Sequence, residues 1–275
     1  MPLDLDMALE LLARDPSAPI DLAEIALLLA RDEFSFLDVE GHLSELAAMA
    51  RDVQPYLRGH LALQVQGLCR YLFHEMGFRG NEGDYYDPHN SYFNQVLERR
   101  LGIPITLSVV MMAIGQRAGL RIVGVGLPGH FIVKAQDDSQ EVLIDPFHGG
   151  RILTQADCEY LVHQATGSPI DVSPLELQPI PVGLIVRRML NNLKAIYQKQ
   201  EDWPRATRTM ERLRQLDPDN VQLRRDLGIG YLRREQPGKA INLLQCYLDN
   251  APEAEDLEAV RKMHLAALRM VAQWN

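Results

Sequence analysis

The chain has 275 residues, 47% of them hydrophobic and 24% charged, which is enough for one large domain or two ordinary ones. Its formal net charge of -9 argues against non-specific binding to nucleic acid or anionic membrane, because a polyanion is repelled unless a basic patch overrides the total. No apolar run approaches the ~20 residues that span a bilayer, and the acidic start Leu3-Asp4-Leu5-Asp6 is unlike a secretion signal, so the cytosol is the expected compartment. Cys69, Cys158 and Cys246 lie far apart with no CxxC pair, which suggests neither a disulfide framework nor a zinc knuckle.

Charge is unevenly spread. Residues 1–60 carry twelve acids against four arginines, a net of -8, whereas residues 187–236 carry twelve Lys or Arg against seven acids, a net of +5. Two such regions could attract each other within one chain or between copies; two solvated helical faces of opposite sign are the alternative.

In the first 76 residues the apolar spacing is helical: Leu5, Leu9 and Leu12; then Leu22, Ile25, Leu28 and Leu29; then Leu43, Leu46 and Met49; then Leu61, Val65, Leu68, Cys69 and Leu72. Pro16, Pro19 and Pro55 fall between these runs, so about four helices are expected. Gly77 to Pro88 (GFRGNEGDYYDP) reads as a loop long enough to be functional. A helix over 91–100, capped by Ser91, is predicted next, and after Gly102-Ile103-Pro104 an apolar run to Ile114 predicts the central buried helix.

Strands are predicted over 121–127, 130–135 and 141–147, short and consecutive as in an antiparallel sheet. Thr154 and Asp157 have the spacing of a helix start. Residues 167–183, with Pro169, Pro174, Pro179 and Pro181, read as a linker between a domain over 1–166 and a tail over 184–275. In the tail Leu193, Tyr197, Ala206 and Pro218 recur as Leu227, Tyr231, Ala240 and Pro252, a 34-residue period that is the tetratricopeptide pattern. Asp256 to Trp274 then reads as a closing helix. The expected fold class is therefore α+β, with a helical start and small antiparallel sheet, followed by all-α repeats.

The hairpin carries the chemistry. A two-residue turn at Asp137-Asp138 would pair Lys134 with Glu141, Ile132 with Leu143, and His130 with Asp145. An aspartate facing a histidine fixes its tautomer and supports its imidazolium, the arrangement that activates a thiol or hydroxyl. A satisfied polar pair closing a sheet is the alternative, and the pair alone names no nucleophile.

The order of buried helix, strand, strand opening with His, and strand ending in Asp-Pro resembles the transglutaminase-like core. More closely, GFRGNEGDYYDPHNSYFNQVLERRLGIPITLSVV, GVGLPGHFIVK and LIDPFHGG resemble the SirB-type family of bacterial proteins, which join such a core to tetratricopeptide repeats and usually carry a regulatory label. The resemblance covers nearly the whole chain. In the transglutaminase-like family the nucleophilic cysteine opens the central helix in a Gly-x-Cys stretch; aligning its helix exit with Gln116-Arg117-Ala118-Gly119-Leu120 puts Gly102-Ile103-Pro104 there, so Pro104 replaces the thiol.

Proline suits a first helical turn but has no nucleophilic atom. Thr106 and Ser108 are the weak substitutes, although small hydroxyls near a helix start more often bond the backbone. A metal site from His130, Asp145 and His148 with the distant Asp87 or His89 lacks any close ligand spacing, so no metal and no cofactor are expected. The favoured expectation is a degenerate, non-catalytic domain with the repeats docking a protein or peptide. That partner would be acidic if Arg205, Arg208, Arg212, Arg224 and Arg225 line the groove, and self-association through the acidic start would follow the same logic. The alternative is a hydrolase or acyltransferase with Asn94 as a polar helper. A third is a ligand cleft lined by Tyr85, Tyr86 and Tyr92, which would equally pack the loop.

Overall fold

The computed structural model describes residues 3–168 and 171–273, so Pro169 and Trp274 lie outside the described residues. The chain divides into two compact units, one comprising Pro16–Met189 with the residues up to Ala8, the other Leu9–Asp15 with the chain from Leu190 onward.

The first 76 residues hold α1 (Leu5–Arg14), α2 (Leu22–Ala30), α3 (Val39–Asp52) and α4 (Leu61–Cys69), which runs on into a π-helical turn over Arg70–Glu75. Asp21 and Asp38 cap α2 and α3 by accepting from the amides of Ala23 and Gly41. The predicted inward faces are buried at Leu9, Leu12, Ile25, Leu46, Val65, Leu68 and Leu72. Next come β1 (Arg79–Gly80), α5 (Phe93–Arg99), β2 (Leu101–Gly102) and α6 (Pro104–Arg117). The two-residue strands β1 and β2 pair in parallel, a bridge that no periodicity announces.

Ser91 does not cap α5: the helix starts two residues later, after an extended Tyr92, and the Ser91 hydroxyl is buried without a hydrogen-bond partner. The aspartate that does cap lies upstream, where Asp87 accepts from the His89 amide and opens a single turn over Pro88–Asn90. As predicted, α6 is central. Every residue from Pro104 to Gly115 is buried.

The sheet is an antiparallel meander of β3 (Ile122–Leu127), β4 (His130–Gln136), β5 (Glu141–Asp145) and β6 (Arg151–Leu153), in that order. The predicted hairpin register is wrong by two residues. Gln136 faces Glu141 and Lys134 faces Leu143, because the turn spans Asp137 to Gln140 rather than two residues. The cause is Asp137, whose carboxylate accepts from the amides of Ser139 and Gln140 and from the Ser139 hydroxyl, building a longer turn. A slip of two keeps every side chain on its predicted face. The Lys134 ammonium still reaches both Glu141 oxygens at 3.2 Å, now diagonally. β6 was not anticipated; β5 turns back through Gly149 and Gly150 to form it.

Helix α7 (Gln155–Thr166) opens with the predicted reciprocal cap between Thr154 and Asp157. The proline-rich stretch read as a linker is instead packed within the first unit, and the division falls inside α8 (Val182–Lys199). Its apolar residues explain this: Val172 is buried and Leu177 half-buried against Val125, Ile132 and Leu153, while the Ile180 amide donates to the Gly124 carbonyl. In the second unit α9 (Trp203–Leu216), α10 (Val221–Arg233), α11 (Pro237–Asn250) and α12 (Leu257–Gln273) pack in sequence as helical repeats. The periodic Leu193, Tyr197, Leu227 and Tyr231 are buried, and Ala206 and Ala240 have no exposed surface.

Candidate functional site

The site lies at the open end of the sheet. Pro128-Gly129 joins β3 to β4, with Gly129 at φ +69, and the next residue is His130. Proline followed by a left-handed glycine is the signature of a type II turn. Across the sheet, β5 ends at Asp145, and the loop Pro146–Gly150 folds back so that the Gly150 amide donates to the Asp145 carbonyl at 2.9 Å. Gly150 sits at φ +78, and a Cβ there would lie 2.6 Å from Cys69 Sγ, so the loop closes only without a side chain.

Asp145 has no exposed surface and organises everything around it. Its Oδ1 accepts from the amides of Phe147 at 3.0 Å and His148 at 3.4 Å. Its Oδ2 lies 3.0 Å from His130 Nε2 and 2.6 Å from His148 Nδ1. Burial pushes this carboxyl up, but hydrogen bonding and charge from His130, then His148, prevail and hold it below the ordinary carboxylate range. An ionised carboxylate only accepts, so both facing ring nitrogens carry protons. His130 then keeps its lone pair on Nδ1 when neutral. The His130 side chain is 9% exposed and that of His148 42%, so the pair is reached from solvent through His148.

An aromatic wall surrounds the pair. Phe147 packs edge-on against His130 and His148, with centroids 6.3 and 5.1 Å away, and the two imidazoles stack at 5.9 Å. Tyr85 meets Phe147 edge-on at 6.0 Å, and its hydroxyl pKa is raised, chiefly by burial. Tyr86 packs on Tyr85 and is more exposed, whereas Tyr92 is buried against Phe34 and lines no cleft with them. On the backbone side of His130, the Arg188 guanidinium donates to the carbonyls of Leu127 and His130 and lies 5.4 Å from the Phe131 ring. Arg188 was invisible in the sequence because it lies 58 residues downstream, among helical arginines with no distinguishing pattern.

The substitute nucleophiles do not meet the histidine. Thr106 Oγ1 donates to the Asn90 and Ile103 carbonyls and accepts from the Ile103 amide, a capping role. Ser108 Oγ is buried without a hydrogen-bond partner, and so is Asn94 Oδ1. Cys69 and Cys158 are both buried, and burial pushes their pKa values up to about 12 and about 11. Asp87 and His89 bond each other, with Arg99 on the same carboxylate, and join no ligand set with His130. In the repeats, Arg224 donates to Cys246 Sγ and the Pro218 carbonyl, and Arg225 to Asp226 and Asp256. Two of the five arginines predicted to face a partner, Arg224 and Arg225, thus make bonds within the repeats.

Residues 39–191 match the transglutaminase-like superfamily and residues 193–264 the tetratricopeptide repeat. A UPF0162 protein of Xylella fastidiosa is 36% identical over 251 residues, covering 88% of both chains. Human F-box only protein 21 is 29% identical over 190 residues, which span 65% of this chain but only 29% of that one. Among solved structures, menin matches at a TM-score of 0.41 and 12% identity, covering 95% of this chain and 74% of menin. With its buried central helix, four-stranded meander and His130–Asp145 pair, the chain belongs to the transglutaminase-like superfamily and carries tetratricopeptide repeats later in its sequence.

Proposed function

We propose that this chain acts by binding a protein or peptide partner, as a regulatory module in the cytosol, and that thiol chemistry is absent from its transglutaminase-like unit. The observation that carries the reading is Pro104 at the first position of α6, where a thiol would gain from the helix N-terminus. The two buried thiols support it, since groups ionising only near pH 11 and 12 supply no thiolate at neutral pH. Tetratricopeptide repeats supply stacked helices whose exposed faces suit an extended or helical peptide. The net +5 of residues 187–236 favours an acidic partner, which includes the acidic first sixty residues of a second copy.

The second reading, a hydrolase or acyltransferase, is favoured by one observation: the unpartnered Ser108 hydroxyl inside α6. Labelling separates the two. Fluorophosphonate and iodoacetamide probes should mark no residue in a His130-dependent manner, and labelling that His130→Ala abolishes would establish the hydrolase. Binding of an acidic peptide to the full chain, weakened by added salt, is the positive outcome for the partner reading.

A further inference from the structure

Three donor residues converge at the open end of the sheet. His130, Asp145 and His148 each offer one ligand atom, these atoms all lie within 4.8 Å of one another, and Asp145 Oδ2 is 3.0 Å from His130 Nε2 and 2.6 Å from His148 Nδ1. The sequence offers these three residues as ligands but gives no reason to prefer them, because His130 stands fifteen residues before Asp145 on a neighbouring strand and no compact ligand motif results. We propose that this trio binds a divalent transition-metal cation, with zinc the chemical type it fits best.

Four features of the geometry carry the inference. The donors are two imidazole nitrogens and one carboxylate oxygen, the mixture that suits zinc, ferrous iron, cobalt or nickel, whereas calcium and magnesium favour oxygen ligands throughout. The carboxylate is set up to bind through one oxygen: the amides of Phe147 and His148 hold Oδ1, leaving Oδ2 to face the rings. Such support orients first ligands in metal sites generally. The present N to O separations of 3.0 and 2.6 Å need only open slightly, since metal–ligand bonds of about 2.0–2.2 Å place tetrahedral donors roughly 3.3 Å apart. The surroundings are graded as well. Asp145 and His130 are buried behind Phe147, while His148 is 42% exposed and supplies the entrance.

Binding replaces protons by the cation. Each neutral ring gives its facing nitrogen to the metal and carries its proton on the other one, so His130 shifts from Nε2–H to Nδ1–H; a ring that starts as imidazolium releases one proton to solvent. Three protein ligands leave a fourth position for water or an incoming ligand, on the side of His148. A second imidazole beside a histidine–aspartate pair adds nothing to a thiol mechanism, and a cation gives it a role. The inference is independent of the partner reading, because a protein that docks through its repeats would do so with or without the ion.

The test uses the full chain, free of any histidine tag and stripped with a chelator, titrated calorimetrically with zinc. One ion per chain should bind with a dissociation constant below about 100 µM. His148→Ala should weaken it about tenfold or more, since a first ligand is removed, while His89→Ala, a similarly exposed histidine, should leave it unchanged. Because His148→Ala removes an exposed ring, folding should survive. Nitrogen-15 spectra of the unmodified chain give a second measurement, in which zinc should move the ring signals of His130 and His148 and switch the His130 tautomer. Absence of binding, equal loss in both variants, or unmoved His130 and His148 signals would overturn the proposal.

Discussion

His130 Nε2 and Asp145 Oδ2 meet at 3.0 Å although the paired residues of their strands stop at Val133 and Ile144. The contact is made beyond the paired residues of β4 and β5, where side chains join the two strands. Asp145 therefore closes the sheet as well as furnishing the site. Replacing it by alanine leaves two amides and two ring N–H groups without their acceptor, and should cost about 3 kcal/mol. His148→Ala, at the exposed rim, should cost less than about 1 kcal/mol. Urea unfolding of the two variants checks the contrast, and equal losses would contradict it.

Thiol reactivity follows from burial. With pKa values of about 12 and about 11, Cys69 and Cys158 should resist iodoacetamide at about pH 8 in the folded chain and react once it is unfolded. Peptide mass mapping before and after denaturant reads the difference. Rapid modification of either thiol in the native chain would show that its surroundings open readily.

The start of α7 should be acid-sensitive. The Thr154 hydroxyl, then the Thr154 amide, bonds Asp157 and holds its carboxyl below the ordinary range. A carboxyl depressed by folding stabilises fully above its unfolded value, and the benefit is lost as pH falls through the folded one. Protection of the first-turn amides of α7 against exchange, corrected for the intrinsic rate, should therefore fall as pH drops through and below the ordinary carboxylate range, and Asp157→Asn should flatten that dependence. Thr154→Ala should cost about 1 kcal/mol at neutral pH.

Arg225 bonds Asp226 and Asp256 and lies 5.4 Å from the Tyr247 ring, whose hydroxyl donates to Asp256 at 2.6 Å. Arg225→Ala should lower the stability of the repeats by about 1–2 kcal/mol. Any loss of partner binding in this variant must be read against its circular-dichroism melting curve.

Much of this was legible from local chemistry. The buried central helix, the helical faces before residue 76, the 34-residue repeat and the Thr154–Asp157 cap all follow from spacings within a few turns of chain. The His130–Asp145 pairing was reached through a register two residues off, and survived because a shift of two preserves the face and leaves diagonal neighbours within reach. What escaped was non-local. Arg188 reaches back to His130 from a helix whose pattern says nothing about the sheet, and Phe147 finds room for its ring only because Gly80 has no side chain, since a Cβ there would lie 2.7 Å from that ring. The proline-rich residues differ for another reason: prolines signal absence of helix, and a segment of turns can still bury Val172 and half-bury Leu177.

The Pro128-Gly129 bend has one more effect. Proline restricts the unfolded chain at Pro128, which offsets part of the larger loss of freedom at Gly129 when the turn before His130 forms. Whatever binds there meets an imidazole already held by Asp145, and the entropic penalty of arranging it was met when the chain folded.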